Sequence, residues 1–311
     1  MNSPSKKINL LDKLTSVDTQ KKLLRCALDY DQPCCKGKGY QVVSQGAYAR
    51  GEICSCLKNC PQCLGKLFKK TTGGVIPCTS PNPSRICSLL NEADIPARYA
   101  HAELRNFSNR SGNCGRVLHK VTQWVSRYKE LDRGLILSGP IGVGKTFILT
   151  ALAKNLIQNG VSVKFVDFFQ LVGQIRAGYS DQKSDQTFLK PLINVDVLII
   201  DELGKGRNTD FELTVLDQLV MGRYNQNKII VASTNCYLRE SPEPQRGLSQ
   251  KKLDQLSSSQ QPQRALAPET AEHLSERVGP RVFSRLTETT YFIEMLGDDY
   301  RQKKGSPWFV S

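Results

Sequence analysis

From residue 135 onward, short apolar runs alternate with longer amphipathic stretches. Leu135-Ile136-Leu137 is a continuous apolar run of the kind expected of a strand buried on both faces. The same reading predicts strands over 161–167, 195–200 and 228–233. It predicts helices over 146–159, 168–178, part of 183–193, and 210–226. Such alternation is the mark of an α/β fold, a parallel sheet flanked by helices. Upstream, Leu118, Val121, Trp124, Val125 and Tyr128 recur at helical spacing within 117–131. A shorter helix is expected over 86–93, stopped by Pro96. Leu10, Leu11, Leu14, Val17, Leu23 and Leu24 predict one or two amphipathic helices in the first thirty residues, broken at Asp31-Gln32-Pro33. Residues 71–85 are rich in Thr, Gly, Pro and Ser and read as a linker. Residues 238–268 carry Ser, Gln and Pro with few apolar positions and read as a disordered insertion. Helices near 269–277 and 281–286 and a strand over 291–295 follow it.

The polar residues at the ends of these strands carry the chemistry. After the first strand comes Gly139-Pro140-Ile141-Gly142-Val143-Gly144-Lys145-Thr146, which matches the P-loop pattern G-x-x-x-x-G-K-[ST] between a strand and a helix. Its glycines allow a tight loop whose amides, with the helix N-terminus, converge on phosphate oxygens. Lys145 is expected to reach the β- and γ-phosphates, and the Thr146 hydroxyl to ligate Mg²⁺. The whole stretch Gly139 to Thr146 is therefore a nucleoside triphosphate cradle. Val197-Leu198-Ile199-Ile200-Asp201-Glu202 has the form of a Walker B motif. Asp201 at its tip is placed to hold Mg²⁺ near Thr146, and Glu202 to orient the attacking water. A further apolar strand ends in Ser233-Thr234-Asn235, where Asn235 can meet the γ-phosphate or the water. Arg277, Arg281 and Arg285 recur every four residues, but Gly279-Pro280 breaks the helix, so only Arg281 and Arg285 share a face. One of these arginines is a candidate finger for a neighbour's nucleotide.

The 311 residues suffice for one large domain and a small one. No apolar run approaches the roughly 18 residues of a membrane span, and the N-terminus lacks the apolar core of a secretory signal. A cytoplasmic protein with no membrane association is the expectation. The net charge is +14, and residues 1–80 hold thirteen Lys and Arg against five Asp and Glu. That surplus agrees with a nucleic-acid partner or an acidic protein surface. Six of the eleven cysteines, Cys34, Cys35, Cys54, Cys56, Cys60 and Cys63, crowd into thirty residues. Without a secretory signal this density points to Zn²⁺ rather than to disulfides, with Cys60 and Cys63 the firmest pair and the choice of four open.

Together the P-loop, Asp201-Glu202-Leu203-Gly204, Ser233-Thr234-Asn235 and Arg281-Val282-Phe283-Ser284-Arg285-Leu286 resemble the AAA+ ATPases of the DnaC/DnaI replicative helicase-loader family and their IstB-type transposition relatives. Ile95-Pro96-Ala97-Arg98-Tyr99, Phe107 and the run Gly222 to Lys228 extend the similarity. The resemblance implies an AAA+ domain over 86–303 that binds and hydrolyses ATP with Mg²⁺, preceded by an N-terminal helical and zinc-binding module (1–70) and a linker (71–85), and followed by a tail (304–311). It implies that Asn235 acts as sensor 1, that Arg281 best matches the finger, with Arg277 and Arg285 as neighbours that could take its place, and that Arg301 has a sensor-2-like role. The implied partners are a replicative DNA helicase, single-stranded DNA and other copies of the chain. Two readings stay open beside it: a transposition helper that binds duplex DNA and recruits a transposase, and a nucleotide-gated adaptor whose zinc module does the binding.

Overall fold

A computed structural model of the chain describes residues 35, 38–55, 57, 63, 66, 68–77, 82–109, 111–180, 184–238 and 272–302. The expected helices of the first thirty residues, nearly all of the 238–268 insertion and the 304–311 tail lie outside them. Two antiparallel hairpins come first: β1 (Tyr40–Gln45) with β2 (Tyr48–Ile53), and β3 (Phe68–Thr71) with β4 (Gly74–Pro77). Next come α1 (Pro83–Glu92), two 3₁₀ turns (Ala97–Tyr99 and Leu104–Asn106) and α2 (Cys114–Arg127). The alternating part then runs β5 (Gly134–Ser138), α3 (Lys145–Gln158), β6 (Val163–Asp167), α4 (Phe168–Ser180), α5 (Asp185–Asn194), β7 (Val197–Asp201), α6 (Asp210–Tyr224) and β8 (Ile229–Thr234). It closes with α7 (Leu274–Val278), α8 (Pro280–Thr289) and β9 (Thr290–Glu294).

The five strands form one wholly parallel sheet in the order β6-β7-β8-β5-β9, as the alternation predicts. Successive residues of each strand face opposite layers. Leu135, Leu137, Val197, Ile199 and Val231 point into a core shared with α1, α2 and α3. Ile136, Leu198, Ile200, Ile230 and Ala232 point into a second core shared with α4 to α8. Burial on both faces explains why these strands read as unbroken apolar runs. Among the described residues no helix is long and apolar enough to cross a membrane.

Two boundaries differ from expectation. The stretch read as a linker holds the β3–β4 hairpin, because Thr72-Gly73, which look like flexible linker residues, are the turn between two paired strands. It also holds the start of α1. Asn82 caps that helix, accepting from the Ser84 amide at 2.8 Å, and Pro83 occupies its first position. Nor does the N-terminal hairpin stand apart: Tyr40 and Ala49 of β1 and β2 are buried in the same core as α1 and α3. At the edge where β7 and β8 begin, Arg223 near the end of α6 is completely buried. Its two terminal nitrogens donate to the carbonyls of Leu192, Ile193, Val195, Asp196 and Ile229 at 2.6–3.1 Å.

Candidate nucleotide site

The loop between β5 and α3 winds round the N-terminus of α3. Gly139 and Gly142 have φ of 145° and 83°, and each lies where a Cβ would collide, with the Met295 carbonyl and the Asp299 side chain respectively. No side chain caps α3, so its first amides face into the loop, the arrangement that binds phosphate. The Lys145 ammonium is buried and donates to the carbonyls of Gly139 at 2.7 Å and Pro140 at 2.8 Å. Burial pushes it down to about 8, against the opposing pull of Asp201 and Glu202. Val143 is buried, while Ile141 at the loop tip is exposed.

The parallel register brings the C-terminal tips of β5, β8 and β7 side by side, the edge at which such sheets bind ligands. Asp201 is buried, and its Oδ1 accepts from Thr146 Oγ1 at 3.2 Å and from Ser233 Oγ. Burial holds its carboxyl above the usual range in spite of these two hydroxyls. A buried carboxylate beside a threonine oxygen, with only neutral donors, suits a divalent cation of the Mg²⁺ type, so these residues fit that ion. Glu202 sits at φ 56°, in the left-handed region, which turns it out of the strand direction. Its amide meets Ser233 Oγ at 3.1 Å, and its carboxylate pairs with Lys205. Asn235 lies one residue past β8 and is exposed. The residue that touches both Walker B acids is thus Ser233, whose only signal in the sequence was its place in the strand tip.

The chain after β9 lies along the same loop. Met295 N bonds the Ser138 carbonyl at 2.7 Å, and Tyr300 N bonds the Gly142 carbonyl at 3.1 Å. Asn109, itself buried, donates to the carbonyls of Val143 and Asp298, both at 3.2 Å. Arg301 is thereby held beside the cradle, paired with Asp299 at 3.3 Å. The other arginines part company. Arg277 is occupied within its own chain by the carbonyls of Gly204 and Gly206 and by Glu272. Arg285 lies over the Tyr224 ring and donates to the Arg281 carbonyl. Arg281 is exposed, and among the described residues its guanidinium enters no ion pair. The helix break at Gly279-Pro280 is present, with Gly279 at φ 80° and Pro280 opening α8.

Of the zinc candidates, Cys34, Cys56 and Cys60 lie outside the described residues, and Cys35, Cys54 and Cys63 are buried. Among the described residues no three metal-binding side chains gather.

With this geometry in place, a family model described as "IstB-like ATP binding protein" matches residues 82–241, just over half the chain. This chain belongs to the IstB-like ATP-binding family. Its P-loop lies between a strand and a helix of a parallel α/β sheet. Among curated proteins, the "Uncharacterized protein YdaV" of Escherichia coli (strain K12) is 26% identical over 151 residues, 49% of this chain and 61% of that protein. The "Replicative helicase loader DnaC" of the same strain is 24% identical over 151 residues, 48% of this chain and 62% of that protein. The IstB-like chain thus spans about three-fifths of the length of these relatives. The crystal structure of the DnaC helicase loader covers 64% of this chain and 99% of its own, at 24% identity and a TM-score of 0.49.

Proposed function

We propose that this IstB-like protein is a Mg²⁺-dependent ATPase that engages a replicative DNA helicase and assists its loading on single-stranded DNA. The observation that carries the ATPase part is the meeting of Lys145, Thr146, Asp201 and Glu202 at one sheet edge. The similarity to a protein named as a replicative helicase loader supports the choice of partner. Lys145 and the α3 amides hold the phosphates, and Thr146 and Asp201 hold the metal, which neutralises charge building on the phosphoryl oxygens. Glu202, whose carboxylate pairs with Lys205, accepts a hydrogen bond from the attacking water and aligns it with the γ-phosphorus. Asn235, at the neighbouring tip, can contact the same water or phosphate, and Arg301 the phosphates from the far side. Exposed Arg281 is the finger presented to an adjacent copy of the chain, with Arg285 beside it, so turnover requires an oligomer. The cysteine segment folds round Zn²⁺. In support, the Gly39 amide points at Cys35 Sγ at 3.4 Å, and tight turns follow Cys35, Cys54 and Cys63.

The test is to mix the full-length protein with the replicative helicase of its host, with and without ATP, and to look for a stable complex. Because β1 and β2 belong to the ATPase core, the informative truncation removes residues 1–34 only. A complex with the full chain is the expected result. ATP binding without any complex would leave the second reading, which the IstB-like family match favours: a helper that binds duplex DNA and recruits a transposase. Zinc content of the purified protein, and its loss in Cys63→Ser, tests the metal assignment.

A further inference from the structure

Ser233 stands one residue before the end of β8, beside the tip of β7, and is buried. Its Oγ accepts from the Glu202 amide at 3.1 Å and bonds Asp201 Oδ1. A serine hydroxyl has one hydrogen to give. The Glu202 amide can only donate, so that hydrogen goes to the Asp201 carboxylate, and the direction of both bonds is fixed. Thr146 Oγ1 lands on the same Oδ1 at 3.2 Å, leaving Oδ2 for a cation. The backbone of Ser233 adds a third tie, its carbonyl accepting from the Leu203 amide at 2.7 Å. The amides before and after the Glu202 α-carbon therefore both bond one residue of the neighbouring strand. Between them Glu202 holds φ at 56°, a conformation that non-glycine residues rarely take.

We propose that Ser233 is a positioning residue for both Walker B acids. Its hydroxyl sets the rotation of the Asp201 carboxylate and, through the Glu202 amide, the turn that aims the Glu202 carboxylate at the attacking water. This rests on the reading of Asp201 as the metal-holding acid and Glu202 as the water-orienting one. A hydrogen bond from a second layer fixes a metal ligand's orientation before the metal arrives. Here the same hydroxyl also holds the acid that works on the water, so metal binding and hydrolysis depend on one group. The bonds that Ser233 makes to these acids involve neither Lys145 nor the α3 amides, so the phosphate cradle is independent of them. Thr234, next along the strand and fully buried, is a natural comparison. Its hydroxyl accepts from the Cys236 amide at 3.1 Å and, among the described residues, bonds neither acid.

The experiment compares wild type, Ser233→Ala, Ser233→Cys and Thr234→Val as full-length proteins. Single-turnover ATP hydrolysis is followed across a Mg²⁺ titration, and binding of a fluorescent ATP analogue is measured without metal. Ser233→Ala should raise the Mg²⁺ concentration at half-maximal rate about tenfold, the worth of a hydrogen bond to a charged group. Its rate at saturating Mg²⁺ should fall about fivefold, the worth of a neutral hydrogen bond, while metal-free binding stays at the wild-type value. Ser233→Cys keeps the shape with a weaker donor and should move both quantities in the same direction by less, which carries the test if the alanine variant does not fold. Thr234→Val loses a buried hydroxyl from the same strand tip and should move neither. A change in only one of the two quantities, or in neither, would overturn the proposal. So would an equal loss of binding without metal, or the same shifts in Thr234→Val, either of which marks a packing role. A wild type that hydrolyses no ATP in Mg²⁺ would instead sink the ATPase reading beneath it, so the two failures are told apart.

Discussion

Where β7 and β8 begin, a fully buried guanidinium, Arg223, is surrounded by five backbone carbonyls. Where the same two strands end, a buried carboxylate, Asp201, meets only the hydroxyls of Thr146 and Ser233, and a buried ammonium, Lys145, meets two carbonyls of its own loop. Both edges place charge in a low-dielectric setting, where an unpaired ion costs several kcal/mol or more. At the first edge the backbone supplies the compensation, so the charge serves the fold. Burial works against the charged form at both edges, pushing Arg223 down to about 10, Lys145 down to about 8 and Asp201 above its usual range. What differs is the partners: five carbonyls for Arg223, but only two hydroxyls for Asp201 and two loop carbonyls for Lys145. Charges left in that condition mark a site built for a charged ligand.

Arg223→Met should produce the largest effect. It strips the donors from five carbonyls and should cost about 3–5 kcal/mol in denaturant unfolding, with the nucleotide affinity of the folded fraction unchanged. Lys145→Ala should do the reverse, lowering ATP affinity on the order of a hundredfold in a binding titration while leaving stability within about 1 kcal/mol. If the two variants behaved alike, the contrast between the two edges would fail. Glu202→Gln sharpens it within the open edge: ATP should still bind, and the single-turnover rate should drop on the order of a hundredfold.

A smaller effect concerns Lys154 on α3, buried and donating to the Ala100 carbonyl at 2.5 Å. Burial pushes it from 10.5 down to about 8. Between those values the unfolded chain holds the proton that the folded chain has released, so stability should rise with pH from about 8 toward 10.5. Lys154→Met should flatten that rise in denaturation curves taken across the window. The smallest effect on the fold should come from Arg281→Ala, within about 0.5 kcal/mol of wild type with ATP binding intact. Its steady-state ATPase should nonetheless fall, and fall most at protein concentrations where copies associate.

The parts legible in the sequence were those whose physics is local. A strand buried on both faces must be apolar throughout, so β5, β7 and β8 stood out. A loop that turns left-handed and closely approaches Met295 and Asp299 needs glycine at those points, so the places of Gly139 and Gly142 were readable. The break at Gly279-Pro280 was readable for the same reason. The 71–85 stretch misled because Gly and Pro have the same local signature in a hairpin turn, a helix start and a flexible linker.

What only the tertiary structure decided depends on groups brought together from distant parts of the chain. Sequence alone left Arg277, Arg281 and Arg285 as rivals. The fold separates them by what lies nearby: Gly204 and Gly206 for Arg277, Tyr224 for Arg285, and solvent for Arg281. It likewise put Ser233 against Asp201, and Arg301 beside a loop about 160 residues earlier. It also buried Tyr40 and Ala49 of the β1–β2 hairpin in the core of α1 and α3, although the sequence assigned that hairpin to a separate module. A periodic pattern reports which face of an element is buried, because that is a property of one segment. Which donor meets which acceptor is a property of two segments, and only their packing determines it.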